Sequence, residues 1–115
     1  MKTLEQLDAK TLPEFLEADL AVLMLSKTDC AACNAWTDEL TGYLAEAGED
    51  LDGVRFGKLR LDTPGLVAFK RANPWLAEVD VLPFNVIFER GEVARKWPGG
   101  GLPRLKGRLD AVRAG

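Results

Sequence analysis

Two cysteines stand together in this chain as Cys30-Ala31-Ala32-Cys33, and they are the only residues whose type and spacing announce a reaction. If the segment is the start of a helix, a three-residue step brings both sulfurs to one side of the first turn, close enough to close a small disulfide ring. The unpaired amides and partial positive charge of a helix N-terminus stabilise a thiolate, so Cys30 should ionise below the free value of about 8.5 and act as a nucleophile. Cys33, one turn deeper, would then be the resolving thiol that attacks a mixed disulfide and releases the partner. Three other uses of the pair stay open at this point: a structural disulfide, whose short ring restricts the unfolded chain little; a metal site, which needs two further ligands; and two inert core cysteines. The position of the pair where a strand hands over to a helix favours the redox use.

Histidine is absent from the chain. That excludes Ser-His-Asp and Cys-His hydrolases, His-ligated zinc or haem, and imidazole proton shuttles. Whatever chemistry occurs must run on Cys, Asp, Glu, Lys or Tyr.

The elements that must hold the sulfurs follow from periodicity. Leu20-Ala21-Val22-Leu23-Met24-Leu25 is apolar on both faces and too short for a buried helix, as a central strand covered by helices would be. Cys33, Trp36, Leu40, Tyr43, Leu44 and Ala47 then recur at helical steps, with Gly48 as a stop. Upstream, Thr11-Leu12-Pro13-Glu14 has the form of a capping box opening a helix over about 12–18, preceded by a short strand near Leu4 to Leu7. Downstream, 54–62 reads as a strand, and Pro64-Gly65 opens a helix over 66–71 that Asn73-Pro74 interrupts. A hairpin follows, with strands around Val86-Ile87-Phe88 and Val93 to Trp97 and Gly91 in its turn; Gly99-Gly100-Gly101 then leads into a last helix striped by Leu105, Leu109 and Val112. This order predicts an α/β sheet with helices on both faces, parallel early and antiparallel late.

At 115 residues, 47% apolar and 29% charged, the chain reads as one ordinary domain, 1–115, able to bury a core. A net charge of −3 without long like-charge runs gives no support for a nucleic-acid or acidic-membrane partner. Residues 1–52 hold 12 acids and 3 bases, and 53–115 hold 6 acids and 12 bases, which in one small domain is expected to interleave as solvated faces. The first residues carry acids where a secretory signal needs an apolar run, and the longest apolar stretch, six residues, is far below the twenty or so that span a bilayer. A cytoplasmic monomer is the expectation.

With these motifs in order, the chain resembles the thioredoxin family over nearly its whole length. The resemblance is carried by an apolar strand running into Cys30-Ala31-Ala32-Cys33, by Lys58-Leu59-Arg60-Leu61-Asp62, by Val81-Leu82-Pro83, by Phe88-Glu89-Arg90-Gly91-Glu92-Val93 and by the glycines before the last helix. It implies a thioredoxin fold, a central mixed sheet of four to five strands flanked by helices on both faces. It implies a protein disulfide oxidoreductase in cell redox homeostasis, with no cofactor beyond the redox-active disulfide and no metal. It further implies that Pro83 is cis, that the backbone of Leu82 pairs with an incoming extended peptide, and that Gly99 lets the substrate backbone approach the sulfurs. Partners would be protein or small-thiol disulfides and a reductase that the sequence does not identify.

The departures from the family pattern shape further expectations. Asp29 replaces the motif's tryptophan and Ala31-Ala32 its Gly-Pro; Asp29 is expected to cap the helix while its charge opposes a thiolate at Cys30. Met24 occupies the place of the buried aspartate that helps deprotonate the resolving cysteine, so Lys58 loses its counterpart and is either an accessory group or a lysine reaching water. Trp36 should face the core, as should Trp75 and Trp97 by default, and Phe84 should make the groove more apolar or partly block it. The stretch from Asp62 to Pro83 looks long for the family, which predicts an extra turn on the helix there. The competing function is a thioredoxin-fold binding or scaffold module with little or no turnover.

Overall fold

Strand and helix periods alternate along the sequence, and in the computed structural model, which describes residues 2–115, they become β1 (Leu4–Gln6), α1 (Leu12–Phe15), β2 (Leu20–Ser26), α2 (Ala31–Ala45), β3 (Val54–Arg60), α3 (Val67–Ala72), β4 (Phe84–Glu89), β5 (Glu92–Pro98) and α4 (Leu102–Ala114). Short 3-10 segments occur at Glu49–Leu51 and Pro74–Glu78. The strands form one sheet in the order β1-β3-β2-β4-β5. β1 and β2 flank β3 in parallel, whereas β4 runs antiparallel to β2 and β5 antiparallel to β4. Its unbroken apolar run puts β2 in the middle, where residues 21–26 are all buried. The observed architecture is the mixed five-stranded sheet with helices on both faces that the sequence predicts.

Alternation along the strands splits the core in two. Val22 and Met24 of β2, Val54 and Phe56 of β3 and Ile87 of β4 face α2 and α4, where they meet Trp36, Leu40, Leu44, Leu105, Leu109 and Val112. Ala21, Leu23 and Leu25 of β2, Leu59 of β3 and Val86 and Phe88 of β4 face α1 and α3, where they meet Leu12, Phe15, Leu66 and Phe69. Among the described residues no helix is long and apolar enough to cross a membrane.

Several local expectations are corrected. The capping box lies three residues earlier: the Asp8 carboxylate accepts the N–H of Lys10 and Thr11, while the Thr11 hydroxyl oxygen accepts the N–H of Asp8. Glu14 instead pairs with Arg55, and α1 closes at Phe15 rather than near 18. The α2 helix ends at Ala45, ahead of Gly48, and β3 stops at Arg60, where the Leu61 N–H makes the last hydrogen bond of the ladder, to the Ser26 carbonyl. α3 gains no turn. Pro74 cannot continue it, and the extra residues form the separate 3-10 segment at 74–78.

Candidate active site

The parallel β2 delivers the chain to the carboxyl end of the sheet, and the three residues after it turn back into α2. Leu61 N–H on the Ser26 carbonyl and Asp62 Oδ2, which accepts the Thr28 N–H at 3.1 Å, hold this connection against the end of β3. The hydroxyl and the N–H of Thr28 keep the Asp62 carboxyl below the usual carboxylate range. Asp29 enters the left-handed region at φ 57°, and Cys30 returns to extended backbone as the N-cap of α2.

Asp29 therefore does not cap the helix. Its backbone points it outward, and Cys30 takes the role itself: Cys30 Sγ accepts the Cys33 N–H at 3.2 Å. The two sulfurs are joined in a disulfide, with Cα atoms 5.2 Å apart. Cys33 is sealed from solvent and Cys30 keeps an opening of 8%. On reduction, the same amide and the helix N-terminus face the Cys30 sulfur and favour its anionic form.

A second segment closes over the sulfurs. The Leu82–Pro83 peptide bond is cis, Pro83 is buried, and the Leu82 carbonyl oxygen lies 4.0 Å from Cys30 Sγ. Among the described residues, neither the N–H nor the C=O of Leu82 has a backbone partner, although the chain enters β4 two residues later. An unpaired segment beside an accessible sulfur can accept an incoming chain as an added strand. Gly99, at φ 87°, is bonded to this segment by donating its N–H to the Pro83 carbonyl at 2.8 Å. A side chain would be strained at that φ, and its Cβ would stand 3.6 Å from Arg104 Nη2. Cys30, Cys33, Leu82, Pro83 and Gly99 are thus brought together.

Lys58 is not part of that cluster. It lies directly across the ladder from Met24, half-buried on the same face, and makes no ion pair among the described residues. Met24 itself is fully buried, with the Thr37 hydroxyl at 3.6 Å from its sulfur while that hydroxyl sits 2.7 Å from the Cys33 carbonyl oxygen. Phe84 does not block the groove. Strand alternation turns it to the opposite face, where its ring lies 5.9 Å from that of half-buried Trp75. Trp36 and Trp97 are core residues on the α2 face, as expected.

One site residue was missed by sequence reasoning. Asn85 is 1% exposed and lies across the ladder from Met24 on its other side. Its Oδ1 accepts the Trp36 indole N–H at 2.8 Å, and its Nδ2 donates to the Gly99 carbonyl at 2.6 Å. An asparagine in an otherwise apolar strand, Phe84 to Phe88, was the available signal. Among the described residues, no group of three or more His, Cys, Asp or Glu side chains is placed to hold a metal ion.

Comparison with solved structures places this geometry in a known architecture. Thioredoxin f from spinach chloroplast superposes with a TM-score of 0.77 at 18% identity, over 96% of this chain and 87% of that one. Thioredoxin from Trypanosoma brucei brucei gives 0.73 at 16% identity, over 98% and 93%. A chain of the crystallised complex of ferredoxin:thioredoxin reductase and thioredoxin f2 gives 0.74 at 17% identity, over 96% of both chains. No protein-family model and no curated protein sequence matches the chain. These likenesses establish the thioredoxin fold.

Proposed function

We propose that this chain is a thiol-disulfide oxidoreductase of the thioredoxin kind, acting on protein disulfides as a single domain. The carrying observation is the disulfide at the tip of α2, with its less buried sulfur 4.0 Å from the unpaired carbonyl of Leu82. In the reduced protein the Cys30 thiolate attacks one sulfur of a target disulfide, forming a mixed disulfide and expelling the other target sulfur as a thiolate. Cys33 then loses its proton and attacks Cys30 Sγ. The Cys30–Cys33 disulfide reforms, and the target leaves as a dithiol carrying two electrons. During both steps Leu82 aligns the target backbone beside the sulfurs, Pro83 packs behind them, and Gly99 leaves room.

A reductase or a low-molecular-weight thiol must return two electrons to the disulfide in each cycle. A neighbouring fold solved in complex with ferredoxin:thioredoxin reductase supports a protein reductase as the donor. A monomer in a reducing, cytoplasmic compartment suits such a cycle. No side-chain carboxylate stands at Met24 to take the Cys33 proton, so water or the exposed Asp29 serves instead and resolution is slow. Lys58, without an ion pair, is left as an accessory cation near Met24 rather than a partner in proton transfer.

Reduction of insulin by dithiothreitol in the presence of the wild type, Cys30→Ser and Cys33→Ser tests the reading. Turnover in the wild type, none in either variant, and a trapped mixed disulfide with Cys33→Ser support it. A wild type without turnover leaves the fold as a binding or scaffold module. In the same assay Met24→Asp should speed release of the mixed disulfide; an unchanged rate refutes the missing-carboxylate account.

A further inference from the structure

The groove beside Leu82 has a second wall, built from the glycine loop, and its rigidity traces to one buried amide. Both peptide groups of Gly99 are used inside the protein: its N–H donates to the Pro83 carbonyl at 2.8 Å, and its C=O accepts from Asn85 Nδ2 at 2.6 Å. Asn85 Nδ2 also reaches the Trp97 carbonyl at 3.4 Å, and Asn85 Oδ1 is taken by the Trp36 indole N–H. The next residue of the loop rests on the same indole. A Cβ at Gly100 would stand 3.1 to 3.3 Å from three Trp36 ring atoms, so the backbone there already touches the ring. Trp36 is the residue three positions after Cys33 on α2, and Asn85 is two positions after Pro83. One hydrogen-bonded unit therefore links the helix of the resolving cysteine, the strand behind the proline and the loop that faces the groove.

We propose that Asn85 is a positioning residue for the selection of polypeptide disulfides. It fixes the carbonyl of Gly99, so that the loop offers an incoming chain a rigid surface with no free backbone group at Gly99. At Gly99 an extended target then finds no group to pair with; it pairs with the N–H and C=O of Leu82, and the loop admits it by the fit of its backbone. A small disulfide without a peptide backbone meets the sulfurs without using this wall. The inference rests on the exchange reaction proposed above.

The test compares insulin with the small aryl disulfide dithiobis(nitrobenzoate) as substrates of the reduced protein. Asn85→Leu removes both the acceptor for Trp36 and the donor to Gly99, and it should raise KM for insulin about tenfold while the aryl disulfide reacts within about twofold of the wild-type rate. Trp36→Phe disturbs the same buried network but keeps the Asn85–Gly99 bond, so KM for insulin should stay within about threefold of wild type. Equal losses on both substrates in Asn85→Leu, or equal KM increases in the two variants, overturn the assignment. Amide hydrogen exchange on the wild type reads the wall directly: the Gly99 N–H should exchange at least about a hundredfold more slowly than that of Gly101, for which no acceptor is present among the described residues. Exchange of Gly99 at the Gly101 rate overturns the rigid wall alone. A wild type that reduces neither substrate overturns the exchange reaction, and the selection claim with it.

Discussion

The two faces of the sheet are built from the same strands but by different rules. Toward α1 and α3 the core is a run of Leu, Phe, Val and Ala, with Asn73 at its rim as the buried polar residue. Toward α2 and α4 the apolar packing is interrupted by the disulfide and by Asn85, and Trp97 carries its indole N–H without a partner among the described residues. Ser26, in step with Met24 along β2, likewise has a buried hydroxyl without one. The first face spends its residues on burying area. The second accepts polar groups in a low-dielectric interior, which is costly unless they are bonded, and uses them to hold the sulfurs and the glycine loop in place. The pleat of the strands thus separates an apolar face from the face that carries the disulfide.

The largest effect that separates the faces is expected from Phe15→Ala. Phe15 is fully buried in a helix of four residues that has little stability of its own, so urea unfolding should show a loss of about 3–5 kcal/mol. The folded fraction should retain the wild-type rate of disulfide exchange; a lost rate would break the separation. On the other face, Asn85→Ala should cost about 1–3 kcal/mol by leaving the Trp36 N–H and the Gly99 carbonyl unpaired, and there the stability loss should be accompanied by weaker use of insulin. Gly100→Ala sharpens the comparison further. Its Cβ forces Trp36 to move by a few tenths of an ångström, expected to lower the unfolding free energy by about 1 kcal/mol and to shift the Trp36 emission, while leaving the α1 face untouched.

The smallest effect lies in the connection that carries Cys30. Asp62 is held below the ordinary carboxylate value by Thr28, so its contribution is present above the pKa of the unfolded chain and is lost as pH falls through the lower folded value. Thr28→Val removes the hydroxyl and keeps the N–H. Carboxyl titration followed by NMR should show the Asp62 midpoint rise toward the ordinary value in that variant; a midpoint that does not move would assign the shift to the backbone alone.

Much of this was readable before any coordinates. The strand from Leu20 and the helix after Cys33 are long enough and periodic enough for burial to decide them. The motif Cys30-Ala31-Ala32-Cys33 marked the pair that the structure joins in a disulfide, because a three-residue step at a strand-to-helix boundary brings both sulfurs to one side of the first turn. Short-range polar choices were less readable. Thr11 and Glu14 fit a capping box, but Asp8 takes the Thr11 N–H that Glu14 would reach and Arg55, 41 residues away, competes for Glu14. Asp29 next to a helix start looks like a cap until its backbone is seen to be left-handed, which leaves Cys30 to fill the position.

By itself, then, the sequence determined the alternating elements, the two-sided core and the position of the cysteine pair at the start of a helix, because each depends on local period or on residue chemistry. Tertiary structure alone decided that Phe84 turns away from the groove, that Lys58 lies across the ladder from Met24 without an ion pair among the described residues, and that Asn85 ties Trp36 to Gly99. These depend on which residues the folded sheet sets opposite one another, across 14 positions of chain for the bond of Asn85 to Gly99 and 49 for its bond to Trp36, and no local pattern encodes a partner that far away.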